Sequence, residues 1–347
     1  MVNGGAYNLR HGMGPRLAIF IAFAVVSTSP AIAQPSERRG PFPSRDEWML
    51  AQPLLTLPAT SPDPLARGQY EVRVDGDWGS DFAVVGGSGI ALSNPSYFVD
   101  GEHRSGALTV RRGFGGGLTL GVRASVLWRG SGSLDGIIDF WHRTFDLPDG
   151  GRSLFPDDRF GVTARDLRGR ALAWQGATGT GLGNLELEAN EVLLGRDNAS
   201  GWRAAAVARL SAPTATGPYA DAGSGAGLQL VAARPLGGRT NVYLGFGATV
   251  FSRPEVLGLE YERFRPQGFL SFEGRLTRGW SAIVQLDVAS RLVANVEDYP
   301  GATAYLRVGS KFGLGRAWML EGGITEGVRH QEAITDFGVF AALARRF

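Results

Sequence analysis

The sequence predicts an all-β fold: a transmembrane antiparallel β-barrel of about twelve strands with one short helix in a loop. Three observations support this prediction. Apolar and polar residues alternate with a period of two along many segments, short glycine-rich turns alternate with long polar connections, and a secretion signal precedes the pattern. A strand that presents one face to lipid and the other to a polar lumen requires this alternation.

The first 33 residues have the form of a signal peptide. Arg10 and Arg16 precede an apolar run over residues 17–26, and Ala31 and Ala33 stand at the small positions of a cleavage site. A transmembrane anchor is the alternative, and the run is too short for it. We therefore expect export, cleavage near Ala33 and, for a barrel, a location in the outer membrane of a Gram-negative bacterium.

Composition excludes several classes of function. The chain has no cysteine, so it has no disulfide, no thiol nucleophile and no cysteine-bound metal. Without Arg10 and Arg16 the 35 basic residues fall to 33, which equals the 33 acidic residues. A neutral mature chain has no electrostatic reason to bind nucleic acid. Glycine supplies 51 residues, roughly double its usual share, which fits a fold with many turns.

Residues 34–67 differ from the rest of the chain because they are rich in proline and lack a strand period. Proline has no N–H to give to a strand ladder. We therefore expect an irregular lead-in on the periplasmic side, followed by the barrel over residues 68–347. The prolines of the lead-in are Pro35, Pro41, Pro43, Pro53, Pro58, Pro62 and Pro64.

Twelve long strands follow from the alternation when the last strand is placed as running toward the periplasm. Tyr70 and Val72, for example, alternate with Glu71 and Arg73. Both chain ends then lie in the periplasm, and an even number of strands closes an antiparallel barrel. Ten or fourteen strands stay open, because residues 158–176 can form a further hairpin. The predicted strands lie near 69–79, 102–113, 117–130, 182–194, 201–212, 225–235, 239–252, 267–277, 280–293, 302–313, 316–328 and 335–347.

A soluble β-sandwich is the alternative all-β fold, and two features oppose it. The predicted strands are longer than the usual five or six residues. The chain also ends in Phe347, preceded by alternate apolar residues, which resembles the strand that the barrel-assembly machinery recognises; the alternate residues are Phe337, Val339, Ala341 and Leu343. Arg345 departs from that pattern. We expect this machinery and outer-membrane lipid as partners.

The connection over residues 131–181 contains one segment of helical periodicity, residues 133–147. Its apolar residues form a single stripe, and charged residues lie off that stripe. Two interpretations stay open: a helix that gates the pore or binds a ligand, and a lid that packs its stripe on the barrel mouth or inner wall. The stripe is Leu134, Ile137, Ile138, Trp141 and Phe145, and the residues off it include Asp139, His142 and Arg143.

Four charged residues after this helix form a second candidate site: Arg152, Asp157, Asp158 and Arg159. Two adjacent acids could bind a divalent cation through oxygen, but such a site needs about six ligands. A turn with Asp–Arg salt bridges is the alternative.

The histidines of the mature chain indicate neither a metal site nor a complete hydrolase. His103, His142 and His330 have no recognised metal-ligand spacing. Asp139 and His142 offer an orienting carboxylate and a base, but no Gly-x-Ser-x-Gly motif nominates a serine nucleophile. We therefore predict no metal, no cofactor and no catalytic residue.

Charged residues on the inner side of the alternation are mixed in sign. This mixture favours pairing across the lumen over a channel selective for one ion sign. The inner charges include Glu71, Arg73, Asp75, Asp77, Arg111, Arg123, Arg129, Glu186, Glu188, Arg203, Arg209, Glu273, Arg275, Asp287, Arg291, Arg307, Lys311 and Glu321.

Several segments resemble an uncharacterised bacterial envelope family, domain of unknown function 3187. The most specific is 132–159, which begins Gly-Ser-Leu-Asp-Gly-Ile-Ile-Asp-Phe-Trp-His-Arg; the others are 41–46, 53–58, 99–104, 181–184 and the terminal Arg-Phe. The resemblance covers most of the mature chain. It implies an outer-membrane β-barrel and implies no activity and no site residue.

The sequence therefore predicts an outer-membrane barrel for passage or binding of a small solute, or with a structural role in the envelope. The alternative from another class is a membrane-embedded lipid hydrolase, so enzymatic activity is left open. The sequence does not specify the substrate, the oligomeric state or whether the lumen is open or plugged.

Overall fold

The computed structural model describes residues 38–85, 96–146, 152, 155–174, 177–195, 201–252, 255–256, 258–296, 299–315, 317–328 and 334–347. The predicted signal peptide, its cleavage near Ala33 and the loop residue His330 lie outside the described residues. Within the described ranges, no helix has the length and apolar character needed to cross a membrane.

Strands dominate the secondary structure. In chain order they are β1 (Tyr70–Val85), β2 (Tyr97–Gly115), β3 (Leu118–Gly130), β4 (Gly161–Arg165), β5 (Ala171–Ala173), β6 (Gly179–Leu182), β7 (Leu185–Leu194), β8 (Arg203–Ala212), β9 (Gly225–Pro235), β10 (Thr240–Phe251), β11 (Glu255–Val256), β12 (Leu259–Glu260), β13 (Phe264–Arg275), β14 (Trp280–Ser290), β15 (Ala302–Leu314), β16 (Trp318–Gly327) and β17 (Thr335–Arg346). The helical elements are α1 (Asp135–Phe145) and a 3-10 helix over Gly217–Ala222.

Twelve of these strands close into a barrel, which confirms the predicted fold. Each wall strand pairs antiparallel with its neighbours in chain order, and β1 also pairs with β17 to close the ring. β6 and β7 act as one wall strand along β3, because both pair with it on either side of Gly183. The wall strands are β1, β2, β3, β7, β8, β9, β10, β13, β14, β15, β16 and β17.

The segment that left the strand count open forms a small hairpin beyond the ring. β4 pairs with Tyr97–Asp100 of β2, and β5 pairs with β4. The pairing of β3 with β2 starts at Glu102, so the hairpin takes the part of the β2 edge that β3 leaves free. It extends one side of the barrel and adds no strand to the wall.

The short turns lie at one end of the barrel, the short-turn end, and the long connections at the other, the long-loop end. The β2–β3 turn shows why glycine is needed there, since Gly115, Gly116 and Gly117 all have positive φ. Both ends of the wall meet at the short-turn end, where Tyr70 and Phe347 exchange backbone hydrogen bonds of 3.3 and 2.9 Å.

The outer face of the wall is apolar. Val122, Leu244 and Leu286 point away from the lumen and are exposed to the surroundings, as the alternation predicts. Aromatic side chains are exposed around the short-turn end, as at the interfacial girdles of membrane barrels. They include Tyr70, Phe114, Trp202, Trp280, Trp318 and Phe347.

The proline-rich segment is irregular, as predicted, but its position differs from the prediction. Residues 38–67, named the plug from here on, lie inside the barrel and not outside it in the periplasm. Phe42, Trp48, Leu50 and Leu55 are almost completely buried. A ring of twelve strands encloses more space than its own inward side chains fill, and the plug occupies that space.

Candidate functional site in the barrel lumen

The plug runs through the lumen twice. At the short-turn end the Arg39 guanidinium donates to the carbonyl of Arg278 at 2.7 Å. The chain then rises to a hydrogen-bonded turn over Trp48–Leu54 at the long-loop end. It descends to Gly68, whose N–H donates to the carbonyl of Gly113 at 2.8 Å beside the β2–β3 turn. Both ends of the plug are therefore at the short-turn end.

Inward side chains of the wall bind the backbone of the plug. The Gln267 Oε1 accepts the N–H of Leu57 at 3.1 Å, and the Lys311 ammonium donates to the carbonyl of Pro41 at 2.7 Å. An irregular segment has no ladder to satisfy its buried polar groups, so wall side chains take that role. The contacts are numerous, and each is a single hydrogen bond or a pair.

Ion pairs connect the plug to different sides of the wall. Asp46 accepts from the Arg265 guanidinium at 2.6 Å and from the Tyr305 hydroxyl at 2.7 Å, and Arg45 pairs with Glu186. Burial acts to raise the pKa of Asp46, but the Arg265 and Tyr305 donors outweigh burial and hold that pKa below its ordinary value. The charges of the plug are therefore matched by partners in the wall.

The wall charges also pair with one another, as the mixed signs predicted. The Arg111 guanidinium lies 3.2 Å from Glu71 and 3.0 Å from Glu188. Across β17, Arg73 of β1 lies 2.6 Å from Glu321 of β16. These pairs neutralise most of the charge on the inner wall, so the wall lacks the single-sign ring of charge on which strong ion selectivity depends.

A cavity remains on one side of the plug, against β1, β2, β3, β7 and β8. Pro43 and Pro58 of the plug form one side of it. Five arginines and three acids form most of the rest: Arg45, Arg73, Arg111, Arg123, Arg209, Asp75, Glu186 and Glu188. A passage on this side of the lumen is therefore hydrophilic.

An apolar cluster closes the lumen at the long-loop end. Trp48, Met49 and Leu50 at the turn of the plug pack against side chains from strand ends and described loops. Those side chains include Tyr97, Val99, Val162, Trp174, Phe251, Leu259, Tyr261, Leu292, Val293, Val296 and Tyr299. The described parts of the loops and the turn of the plug thus share one apolar cluster at this end.

Glu47 is a buried acid of the plug that contacts the wall. Its carboxyl group lies 3.3 Å from Arg307 and 3.1 Å from the Thr325 hydroxyl. Burial raises the pKa of Glu47 to about 7 even though Arg307 acts to lower it, and the Asp77 carboxylate adds to the rise. A titratable group therefore sits at the contact between plug and wall.

His103 contacts the plug through a neighbouring acid. The His103 Nδ1 lies 2.8 Å from the Asp81 Oδ2, and that oxygen accepts the N–H of Met49 at 3.1 Å. All three residues are buried. His103 therefore helps to fix the turn of the plug, a role that its sequence position did not indicate.

The predicted helix is present as α1, but it lies on the outer side of the wall and not on the mouth or the inner wall. Leu134 and Ile138 of α1 pack against Phe337. Phe337 stands on the outward row of β17, two residues from the exposed Val339. The helix therefore does not occupy the pore.

The apolar stripe of α1 is turned away from its predicted orientation. Ile137 and Phe145 are exposed, whereas His142 is buried. Trp141 remains at the wall, with its ring centroid 5.5 Å from that of Phe337. The wall beneath α1 carries the polar Glu326 and Asp336 beside the apolar Phe337, so His142 turns toward it together with Ile138.

Among the charged residues after the helix, Arg152 alone is buried; the other three are exposed: Asp157, Asp158 and Arg159. Arg152 pairs with Asp135 of α1 and lies 3.2 Å from Asp336. The Asp158 N–H donates to Asp135 at 2.7 Å. The salt-bridge partners of Arg152 are therefore Asp135 and Asp336, which lie outside the turn that the alternative interpretation described.

Asp139 and His142 do not form a base and its orienting acid. Asp139 lies 3.8 Å from Arg143 on the exposed side of α1. The carboxylates nearest to His142 on the other side are those of Glu326 and Asp336. The lipid-hydrolase hypothesis loses the pair on which it depended.

These features define a class of protein: an outer-membrane β-barrel whose lumen is filled by its own N-terminal segment. The chain belongs to the family described as protein of unknown function, DUF3187, whose model matches residues 17–347. This match confirms the family resemblance seen in the sequence. No curated protein matches the chain.

Solved structures are similar to the chain at low sequence identity, and the first of the three that follow shows the same fold. The COG4313 outer membrane channel from Pseudomonas putida F1 is 15% identical, with a TM-score of 0.55 over 83% of this chain and 98% of that chain. The NanC porin is 7% identical, with a TM-score of 0.46 over 80% of this chain and 98% of its own. The Pseudomonas putida toluene transporter TodX is 10% identical, with a TM-score of 0.39 over 81% and 90%. At these identities the likeness concerns the fold alone, and scores below 0.5 carry no weight.

The plug is the part of the site that sequence reasoning missed. Two signals for it were available. Gln267 and Gln285 are uncharged amides at inward positions, where they can bind a peptide backbone. Residues 34–67 also contain many apolar side chains, Trp48 and Leu50 among them, and a segment outside the barrel has no place to bury them.

Proposed function

We propose that the protein is a plugged channel for small hydrophilic solutes, opened when the plug leaves its place in the lumen. The observation that carries this proposal is the way the plug is held. Within the described residues, the plug pairs with no wall strand and is held by side-chain hydrogen bonds, ion pairs and apolar packing. A net hydrogen bond contributes about 0.5–1.5 kcal/mol, far less than a closed ladder of strands. The plug can therefore move while the ring stays intact.

The solute class follows from the wall that a displaced plug would expose. That wall carries arginines and carboxylates in pairs, with arginine in excess around the cavity. Such a surface suits polar solutes and gives a weak preference for anions. A reversal potential of the sign expected for anions, measured across a salt gradient, supports this preference, and a cation preference contradicts it.

The cleavage site, the assembly machinery and the lipid contact of the barrel are also part of this proposal. Cleavage near Ala33 would make residues 34–67 the start of the mature chain and free them to enter the lumen. The strand that ends in Phe347 would be read by the barrel-assembly machinery, and lipid would cover the apolar outer face. Amino-terminal sequencing of the protein from outer membranes tests the cleavage site.

A disulfide lock tests whether movement of the plug opens the channel. A Cβ added at Gly225 of the wall lies 2.9 Å from the Leu55 Cβ of the plug. A disulfide needs roughly 3.5–4.5 Å between these atoms, so a small shift suffices. The chain has no cysteine, so Leu55→Cys/Gly225→Cys introduces a single possible bond.

Single-channel conductance in planar bilayers is the readout. The oxidised double variant should show no open steps, and reduction should restore the conductance of the parent. Leu55→Cys alone, treated with the same oxidant, is the matched control and should conduct in both states. Conduction through the fully oxidised double variant at the parental level contradicts the proposal.

A further inference from the structure

A β-bulge gives one acidic residue of β17 an unusual orientation. Ser80 of β1 pairs with Phe337, but the next residue, Asp81, pairs with Thr335. Asp336 is therefore the extra residue of a bulge, and its neighbours on either side point to opposite faces of the wall. The Asp336 carboxylate reaches the outer side, where Arg152 lies 3.2 Å away.

A second acid stands beside it on the outward row of β16. The Thr325 hydroxyl contacts the plug, so Thr325 faces the lumen and the next residue, Glu326, faces outward. Glu326 also pairs directly with Phe337 across the ladder. An outward carboxylate is out of place on a row that otherwise carries apolar side chains, such as Leu320.

The helix α1 supplies a histidine at the same place. Its buried face packs Leu134 and Ile138 on Phe337, and His142 lies one turn further along that face. The His142 side chain is 3% exposed, and its Nε2 lies 4.0 Å from the Glu326 carboxylate. One ligand atom from each of His142, Glu326 and Asp336 lies within 4.8 Å of the other two.

The buried Glu326 carboxylate has few groups around it that stabilise its negative charge. Both of its oxygens are inaccessible, and within the described part of the chain the neighbouring donor, the Trp141 indole N–H, makes no hydrogen bond of good geometry to them. Taking a carboxylate out of water without donors is costly, so a positive group should lie against it. The nearby Arg152 binds Asp135 and Asp336 instead. The Glu326 carboxylate therefore needs another cation beside it.

We propose that His142, Glu326 and Asp336 bind a Zn²⁺-class divalent cation that fastens α1 to the outer wall of the barrel. One imidazole nitrogen and two carboxylate oxygens are the donor set of zinc sites with three protein ligands and one water. Ca²⁺ needs six to eight oxygens, and Mg²⁺ prefers oxygen alone, so the histidine disfavours both. Ligand bonds of about 2.0–2.2 Å require the three atoms to approach by roughly 1 Å, within reach of side-chain rotation.

The surroundings fit a bound cation. Arg152 pairs with both Asp336 and Asp135, as outer-shell groups orient ligands at metal sites. The Glu102 carboxylate accepts the N–H groups of Ser133 and Leu134 at the start of α1. One end of the helix is thus fixed by Glu102, and the cation fixes the other end.

Zinc binding to the full chain, extracted in detergent without a polyhistidine tag, tests the proposal. After chelation and removal of the chelator, Zn²⁺ alone should bind at one equivalent by titration calorimetry. Co²⁺ in its place should give the visible absorption of a four-coordinate site. Bound Zn²⁺ should also slow proteolysis within the 131–160 segment, because the helix is then fastened at both ends.

Glu326→Gln and Asp336→Asn keep the shape of each side chain and remove its charge. Each should weaken zinc binding at least tenfold and abolish the protection from protease, and heat-modifiable migration on gels reports whether the barrel still folds. Asp139→Asn, on the exposed face of the same helix, is the matched control and should bind zinc like the parent. Undiminished binding in both ligand variants, or no binding to the parent, overturns the proposal in favour of a metal-free ion pair between His142 and Glu326.

Discussion

Gln285 in the wall binds both backbone polar groups of a single plug residue, Phe42. Its Oε1 accepts the Phe42 N–H at 2.9 Å, and its Nε2 donates to the Phe42 carbonyl at 3.0 Å. An amide side chain can make both bonds at once because it carries a donor and an acceptor side by side. The contact fixes the rising arm of the plug and imitates one step of a strand ladder.

Removal of the two amide contacts should open the channel. In Gln267→Ala/Gln285→Ala the plug loses three hydrogen bonds to the wall. At about 1 kcal/mol for each bond, the ratio of open to plugged molecules should rise roughly a hundredfold. Planar-bilayer recording measures the open probability. Leu286→Ala, on the outward side next to Gln285, is the control and should stay closed like the parent.

Alkaline pH should favour the open state. Burial raises the pKa of Glu47 to about 7 in the plugged state, against an ordinary value of 4.5 in water. A group with a raised acid pKa stabilises the buried state fully below its ordinary value, and this contribution is lost as pH rises through about 7. Open probability should therefore increase between about pH 5 and pH 8.

Glu47→Gln provides the check on this pH effect. Glutamine stays neutral and keeps an oxygen that accepts from the Thr325 hydroxyl and from Arg307, so the variant should behave at every pH like the protonated parent. A variant whose open probability still rises with pH would show that another group is responsible.

Loss of the aromatic residues of α1 should leave conductance unchanged. Trp141 contacts Phe337 on the outer wall, and Phe145 is exposed, so neither side chain closes the lumen. Trp141→Ala/Phe145→Ala should loosen the helix and expose the 131–160 segment to protease. If single-channel recordings of this variant show open steps while the barrel still migrates in a heat-modifiable way, α1 gates the channel and the prediction is wrong.

Arginine on the outer face should be costly in the middle of the wall and cheap near its end. Leu286 lies on the outward row well inside β14, and Leu314 lies beside the aromatic girdle at the short-turn end. Leu286→Arg should destabilise the barrel by about 2–4 kcal/mol, and Leu314→Arg by about 0–1 kcal/mol. Urea-induced unfolding in lipid vesicles measures both. Equal losses would place the membrane band elsewhere on the wall.

The ring could be predicted from the sequence because its period is local. In β10, for example, the alternation of residue types along the strand is enough to predict that Leu244 faces outward and Tyr243 faces the lumen. Glycines at the turns mark where each strand ends, and an even number of strands allows an antiparallel barrel to close. All twelve predicted strands correspond to wall strands for this reason.

The interior could not be predicted in the same way, because the contacts of the plug join residues far apart in the chain. Nothing near Phe42 indicates that Gln285 will bind it, and Asp46 meets Arg265 only after the ring has formed. The outer site had a fainter signal. Glu102 and Glu326 stand at outward positions where the alternation predicts apolar residues. Both lie on the part of the wall that α1 and its flanking residues cover.

The sole lysine of the chain, Lys311, donates to the carbonyls of Arg39 and Pro41. Its amine is therefore shielded from water-borne acylating reagents as long as the plug is in place, and it becomes accessible to them when the plug leaves, with Glu321 at 3.3 Å as its remaining partner. Arginine side chains do not react with such reagents. The rate at which Lys311 is acylated therefore measures how long the plug stays in the lumen. Peptide mass spectrometry can follow it in whole cells, where electrical recording is not possible.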